Sequence, residues 1–195
     1  MSGSRPGTAA FLIIRLLMLF LAAVLVGVLF EVIKGDGTNP FRYVIGNLAA
    51  PWLVVPFAGG RSVRNPLAGA LIGAVLAVVS LAAFYSLLEL VNHSLSIHVL
   101  SNYVLFFSAG AVVGGVAGLL ATLSRRFPTW WLALGLPALF VLEPFAAFAV
   151  GFSGGRTGVN VAVWVVELLL GVVSFVAVLR SHGRLAARVS GGPLG

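Results

Sequence analysis

Apolar residues along this chain run in long unbroken blocks instead of alternating with polar ones. Six blocks stand out, at residues 11–33, 43–60, 67–90, 103–123, 130–150 and 159–179, separated by short polar or glycine-rich connections. Each is roughly 18 to 24 residues long, enough to cross a ~30 Å hydrocarbon core at ~1.5 Å per residue of helix. Membrane strands would alternate apolar and polar positions with period two, whereas these blocks are apolar on every face. The pattern therefore predicts an all-α fold, a polytopic integral membrane bundle of six transmembrane helices. Residues 1–10 predict a disordered N-terminus, 11–179 the transmembrane domain, and 180–195 a basic cytoplasmic tail. The first block is too long for the apolar core of a signal peptide, and no small-residue cleavage site leads into a soluble domain. It is expected to remain as a span, with Arg15 about one turn inside and able to snorkel to the headgroups.

Composition agrees with the pattern. Of the 195 residues, 60% are hydrophobic and 9% charged, against roughly 25% charged in a soluble domain; the mean hydropathy is +1.11. The formal charge of +7 does not point to nucleic acid, because no basic cluster is interleaved with aromatics. The basic residues instead sit between the blocks and set an orientation. Arg5, Arg61, Arg64, Arg125, Arg126, Arg180, Arg184 and Arg188 fall on one side, with Arg15 nearby; Lys34, Arg42 and Arg156 fall on the other. The first side is expected to be cytoplasmic, with both termini in, in a cell (plasma) membrane. Trp130 and Trp131 then belong to an inner interfacial belt. The chain has no cysteine, which excludes disulfides, thiolate metal sites and cysteine nucleophiles.

Small residues recur every fourth position, at Gly110, Gly114 and Gly118 in the fourth block and at Gly69 and Gly73 in the third. That spacing lets helix backbones approach closely, and a tight bundle accounts for it fully.

Two carboxylates interrupt the last two blocks, Glu143 and Glu167. Glu143 lies about 20 Å from the inner boundary and Glu167 about 12 Å below the outer one. Both are equally far in sequence from Gly155, so an antiparallel hairpin would set them at one level. An ionised, unpaired carboxylate at such depth costs about 2.5–3.5 kcal/mol on insertion scales. Two close together cannot both stay ionised cheaply, so at least one is expected to be neutral at pH 7. The cations within range are Arg156, Arg42 and Lys34. Glutamates that merely lock helices together would look the same in sequence. Glu31, Glu89, Asn47, His93, His98, Asn102 and Asn160 share the outer side. They suggest an outward-facing polar vestibule, or only the polar caps that outer helix ends require.

Prolines interrupt the second block (Pro51, Pro56) and the fifth (Pro137, Pro144) at similar offsets. These are matching members if the chain is two three-helix halves, the second inverted. Interrupted spans in corresponding positions point to a transporter binding site, although membrane helices also tolerate proline for other reasons. Glu89 and His93 are spaced i, i+4 and His98 is nearby, but no tight histidine set exists and no metal is expected. No GxSxG, Walker or HExxH motif occurs. Neither an enzyme nor a cofactor is expected, and the loop of residues 151–158 is best explained as a flexible linker.

The run from Gly46 through Asn47, Pro51 and Trp52 to Leu53, ending at Phe57 and Gly59, resembles an uncharacterised family of small actinobacterial membrane proteins, a domain of unknown function. The small-residue fourth span (Gly110, Gly114, Gly118), the single glutamate of the fifth and the E-x-x-x-G of the sixth (Glu167, Gly171) are similar too. Pro144 directly after Glu143 departs from that pattern. The resemblance covers most of residues 43–179 and implies the helical fold and the two glutamates as shared features, with no chemistry attached. Size and helix number are also similar to the substrate-binding subunits of energy-coupling vitamin transporters, at the level of fold alone. The expectation is a solute- or ion-handling membrane protein with a polar cavity around Glu143, Glu167, Asn47 and Arg156. The alternative is a structural or assembly subunit. The expected partners are the lipid bilayer, a small solute or proton, and a partner membrane subunit or a second copy, with no nucleic acid.

Overall fold

The computed structural model describes residues 6–126, 134–149 and 157–190. All regular structure in these residues is helical: α1 (Pro6–Lys34), α2 (Pro40–Gly46), a 3-10 turn (Ala50–Leu53), α3 (Val54–Gly60), α4 (Pro66–Val91), α5 (Ile97–Ser101), α6 (Val104–Arg126), α7 (Gly135–Ala149) and α8 (Thr157–Ser190). Among the described residues five stretches are long and apolar enough to cross a membrane: Ala10–Lys34, Pro40–Gly60, Pro66–Val91, Val104–Arg125 and Gly158–Arg180. Leucine, valine and phenylalanine side chains cover the outer faces, as at Leu17, Leu71, Phe106 and Leu169. Such a surface suits hydrocarbon, where helices satisfy their own backbone groups. The chain is a multi-pass membrane protein.

Asparagine–proline pairs start two of the helices. Asn39 Oδ1 accepts the amides of Phe41 and Arg42 at 3.0 and 3.2 Å, and Asn65 Oδ1 accepts those of Leu67 and Ala68 at 2.9 and 3.3 Å. The proline that follows occupies the first helical position, where a missing N–H costs nothing. At the other end of α1, the Arg42 guanidinium donates to the carbonyls of Val32 (2.6 Å) and Ile33 (2.8 Å). Gly35 and Gly37, at φ +61° and +76°, turn the chain between them.

α4 is the central helix. It packs on α6 most extensively, then on α1 and α3. Glycine makes the α4–α6 contact possible. A Cβ on Gly73 would strike the carbonyl oxygen of Gly114, and one on Gly118 would strike that of Gly69. Gly27 likewise lets α1 lie against the Ser80 carbonyl. Thr122 Oγ1, fully buried, donates to the Gly60 carbonyl at 2.7 Å and ties α6 to the end of α3. Arg125 Nη1 reaches the Arg61 carbonyl at 2.7 Å and closes the same end.

The structure departs from the six even blocks in several places. The second block is two short helices with a break between them. The fifth yields 15 described helical residues, only about 22 Å of rise, with Trp130 and Trp131 outside the described residues. Helix α1 starts at Pro6, inside the stretch expected to be disordered, because proline suits a first helical turn. The fourth helix runs over Val104–Arg126 instead of 103–123. The last continues to Ser190 through the expected tail, because Leu185, Ala186 and Ala187 are good helix formers and the Gly191-Gly192-Pro193 stop comes later. The contacts draw no line between two three-helix halves: α6, from the second half, packs chiefly on α4 of the first, while α7 and α8 pair with each other.

Candidate functional site: a carboxylate pair at a broken helix

The break in the second span follows from its sequence. Asn47 ends α2 at φ −106°, ψ 8°, and its side-chain amide donates to the Tyr43 carbonyl at 2.7 Å. Pro51 has no N–H and so cannot donate to the Asn47 carbonyl four residues back. The chain therefore leaves the helix after Asn47 and re-enters through the 3-10 turn. Pro56 then falls in the first turn of α3, where no intrahelical N–H bond is lost. Restarting a helix inside a membrane leaves its first amides without partners.

Glu143 supplies those partners. Its Oε1 accepts the amide of Ala49 and its Oε2 that of Ala50. One carboxylate on α7 thus caps a half-helix more than ninety residues earlier in the chain. A negative group at the start of a helix also meets the positive end of its dipole.

Glu167, on α8, stands behind Glu143. It is 2% exposed, and neither of its oxygens meets a hydrogen-bond donor among the described residues. The group it faces is the carboxyl of Glu143. Gly171, one turn further along α8, explains how the two come together. A Cβ there would meet Val141 Cγ2 at 2.9 Å and Phe140 Cβ at 3.0 Å. Without one, α8 lies directly on α7, and the E-x-x-x-G spacing sets the Glu167 carboxyl beside Glu143.

The other predicted site residues fall elsewhere. Asn47 caps α2 and lines a cavity of about 340 Å³ between the break, α4 and α6, a cavity with neither glutamate in its lining. Arg156 lies outside the described residues. Lys34 pairs with Glu31 at 2.7 Å and sits 4.6 Å from the centre of the Phe84 ring. Arg42 is engaged with main-chain carbonyls, so neither cation meets the glutamate pair. Glu89 accepts the Ser94 hydroxyl at 2.5 Å and the Tyr103 hydroxyl, tying the end of α4 to the start of α6. Among the described residues no three histidine, aspartate or glutamate side chains cluster as a metal site.

Two features went unread in the sequence. One is the pair of main-chain amides at Ala49 and Ala50, for which Pro51 was the only signal. The other is an aromatic file in which Trp52 meets Phe30 at 5.4 Å and Phe84 at 5.1 Å, and Tyr85 stacks on Tyr103 at 4.0 Å. No family model, curated protein or solved structure matches the chain.

Proposed function

We propose that this is a solute- or ion-handling membrane protein whose Glu143–Glu167 pair binds a proton at the break of the second span. The observation that carries the proposal is Glu167, a carboxyl buried to 2% exposure with another carboxyl as its neighbour and no hydrogen-bond donor meeting it among the described residues. Two unit charges 4 Å apart repel by about 4 kcal/mol at an effective dielectric constant of 20. One proton held between the two carboxyls removes that repulsion and supplies the missing hydrogen bond. Changing the proton count changes the charge on Glu143, and with it the hold on the Ala49 and Ala50 amides. The pair thereby links protonation to the conformation of a discontinuous helix, as a transport site requires. Glu167 is closed off in the state seen here, so on this proposal an outward-facing polar cavity around the pair forms in a second state of the protein. On this proposal the protein sits in the cell membrane with both termini cytoplasmic.

A second reading has its own support. The double cap from Glu143 to Ala49 and Ala50 is also a clamp that fastens α7 to the rest of the bundle, as a structural or assembly subunit needs. Proteoliposomes separate the two. Proton flux under an imposed membrane potential, read with an entrapped pH dye, is expected for the wild type and lost in Glu167→Gln and Glu143→Gln. Unchanged flux or solute uptake in both variants, with normal expression, overturns the transport proposal. Absent flux in the wild type, with a lowered melting temperature in both variants, supports the structural one.

A further inference from the structure

The cavity beside the break carries a second assignment, independent of the glutamates. Where the second span unwinds at Asn47–Ala49, the volume that a continuous helix would fill is left open against α4 and α6. The resulting space of about 340 Å³ is lined by Asn47, Trp52, Leu81, Tyr85, Phe106 and Val113, among others. It lies within the ~300–1,000 Å³ range of ligand pockets. No lining residue is charged, and the Asn47 amide, the Trp52 indole nitrogen and the Tyr85 hydroxyl are its polar side-chain groups. Such a lining does not suit an ionic solute.

The direction of its opening decides the occupant. Phe106, Ala109 and Val113 follow one another on a single face of α6 at helical spacing. That face is open: Phe106 is 53% and Val113 43% exposed. Both belong to an apolar span, so the medium outside the mouth is hydrocarbon. A dry apolar void costs stability in proportion to its volume, and the surrounding fluid can fill this one.

We propose that the cavity is a lateral site for the acyl chain of a membrane lipid, entered between the broken second span and α6. The polar side chains of Asn47 and Tyr85 suit the ester end of the chain, and the Leu81, Phe106 and Val113 side chains suit its methylenes. A chain seated there touches Ala49, whose amide Glu143 holds, so occupancy bears on the same backbone segment as the carboxylate pair.

Trp52 makes this measurable. With Trp130→Phe, Trp131→Phe and Trp164→Phe leaving Trp52 as the sole tryptophan, the protein is reconstituted into vesicles of phosphatidylcholine brominated on its acyl chains. Strong quenching of Trp52 is expected, together with weak quenching by aqueous acrylamide. Ala109→Phe, which fills the mouth from an exposed position, is expected to abolish most of the bromolipid quenching, and Val113→Phe does the same should the first variant fail to fold. Bromolipid quenching that is unchanged by both plugs means that only bulk lipid is sensed and overturns the proposal. Acrylamide quenching equal to that by bromolipid means a water-filled cavity and overturns it as well.

Discussion

Alanine at Gly118 should weaken the bundle sharply, and alanine at Gly115, three residues earlier on the same helix, should not. A Cβ on Gly118 would overlap the Gly69 carbonyl oxygen and lie 3.0 Å from both the Gly69 carbonyl carbon and Gly73 Cα. These are main-chain atoms of α4, so no side chain can swing aside; the two helices must separate. Overpacking of this kind costs about 1–3 kcal/mol, roughly a 5- to 150-fold change in an equilibrium constant. At Gly115 the nearest atoms to a new Cβ are the Ala70 carbonyl oxygen at 3.5 Å and Ala74 Cβ at 3.7 Å, ordinary contact distances. There the change should fall within about ±0.5 kcal/mol, or gain up to ~1 kcal/mol from helix propensity. Gly73→Ala should resemble Gly118→Ala. The double variant should cost less than the sum, because helices moved apart by one Cβ already make room for the other. The assay is equilibrium unfolding of the purified protein in mixed micelles of rising SDS fraction, followed by tryptophan fluorescence. Equal destabilisation at Gly115 and Gly118 would refute the account of α4 and α6 in main-chain contact.

Glu143→Ala leaves the Ala49 and Ala50 amides without an acceptor and should cost about 1–3 kcal/mol in the same unfolding assay. Glu143→Gln keeps one acceptor oxygen and should cost less; if both substitutions leave stability unchanged, the cap is not made in the membrane. Thr122→Val removes the 2.7 Å bond to the Gly60 carbonyl while keeping the side-chain shape. It should cost about 0.6 kcal/mol and at most about 1.7, the range found for single hydrogen bonds between membrane helices, and a gain in stability would contradict that tie.

The hydrophobic blocks made the helical membrane fold legible, because a run apolar on every face has few other homes. The four-residue glycine spacing foretold close helix approach, found between α4 and α6, for an equally direct reason, since a missing side chain matters only where something else fills the space. The consequence of the prolines was harder to see. Pro51 and Pro56 look alike in sequence, yet one denies the Asn47 carbonyl its helical N–H partner at the break and the other sits harmlessly in a first turn. The difference lies in whether the chain restarts between them. Glu143 shows a second limit. Its level in the membrane could be counted, but its partners are backbone amides at Ala49 and Ala50, and backbone donors have no residue identity to search for. Two of the polar residues expected on the outer side proved to serve helix ends: Glu31 and Glu89 hold Lys34, Ser94 and Tyr103 there. Sequence position alone could not tell such caps from a vestibule.

The central claim is that Glu143 and Glu167 hold a proton between them. Infrared spectroscopy of the protein in bilayers tests it directly, because a protonated carboxyl has a carbonyl band distinct from that of a carboxylate and shifted by deuterium exchange. The wild type at neutral pH is expected to show such a band, and Glu167→Gln to lose it. A wild type without the band, or a band unchanged by both Glu143→Gln and Glu167→Gln, would contradict the shared proton.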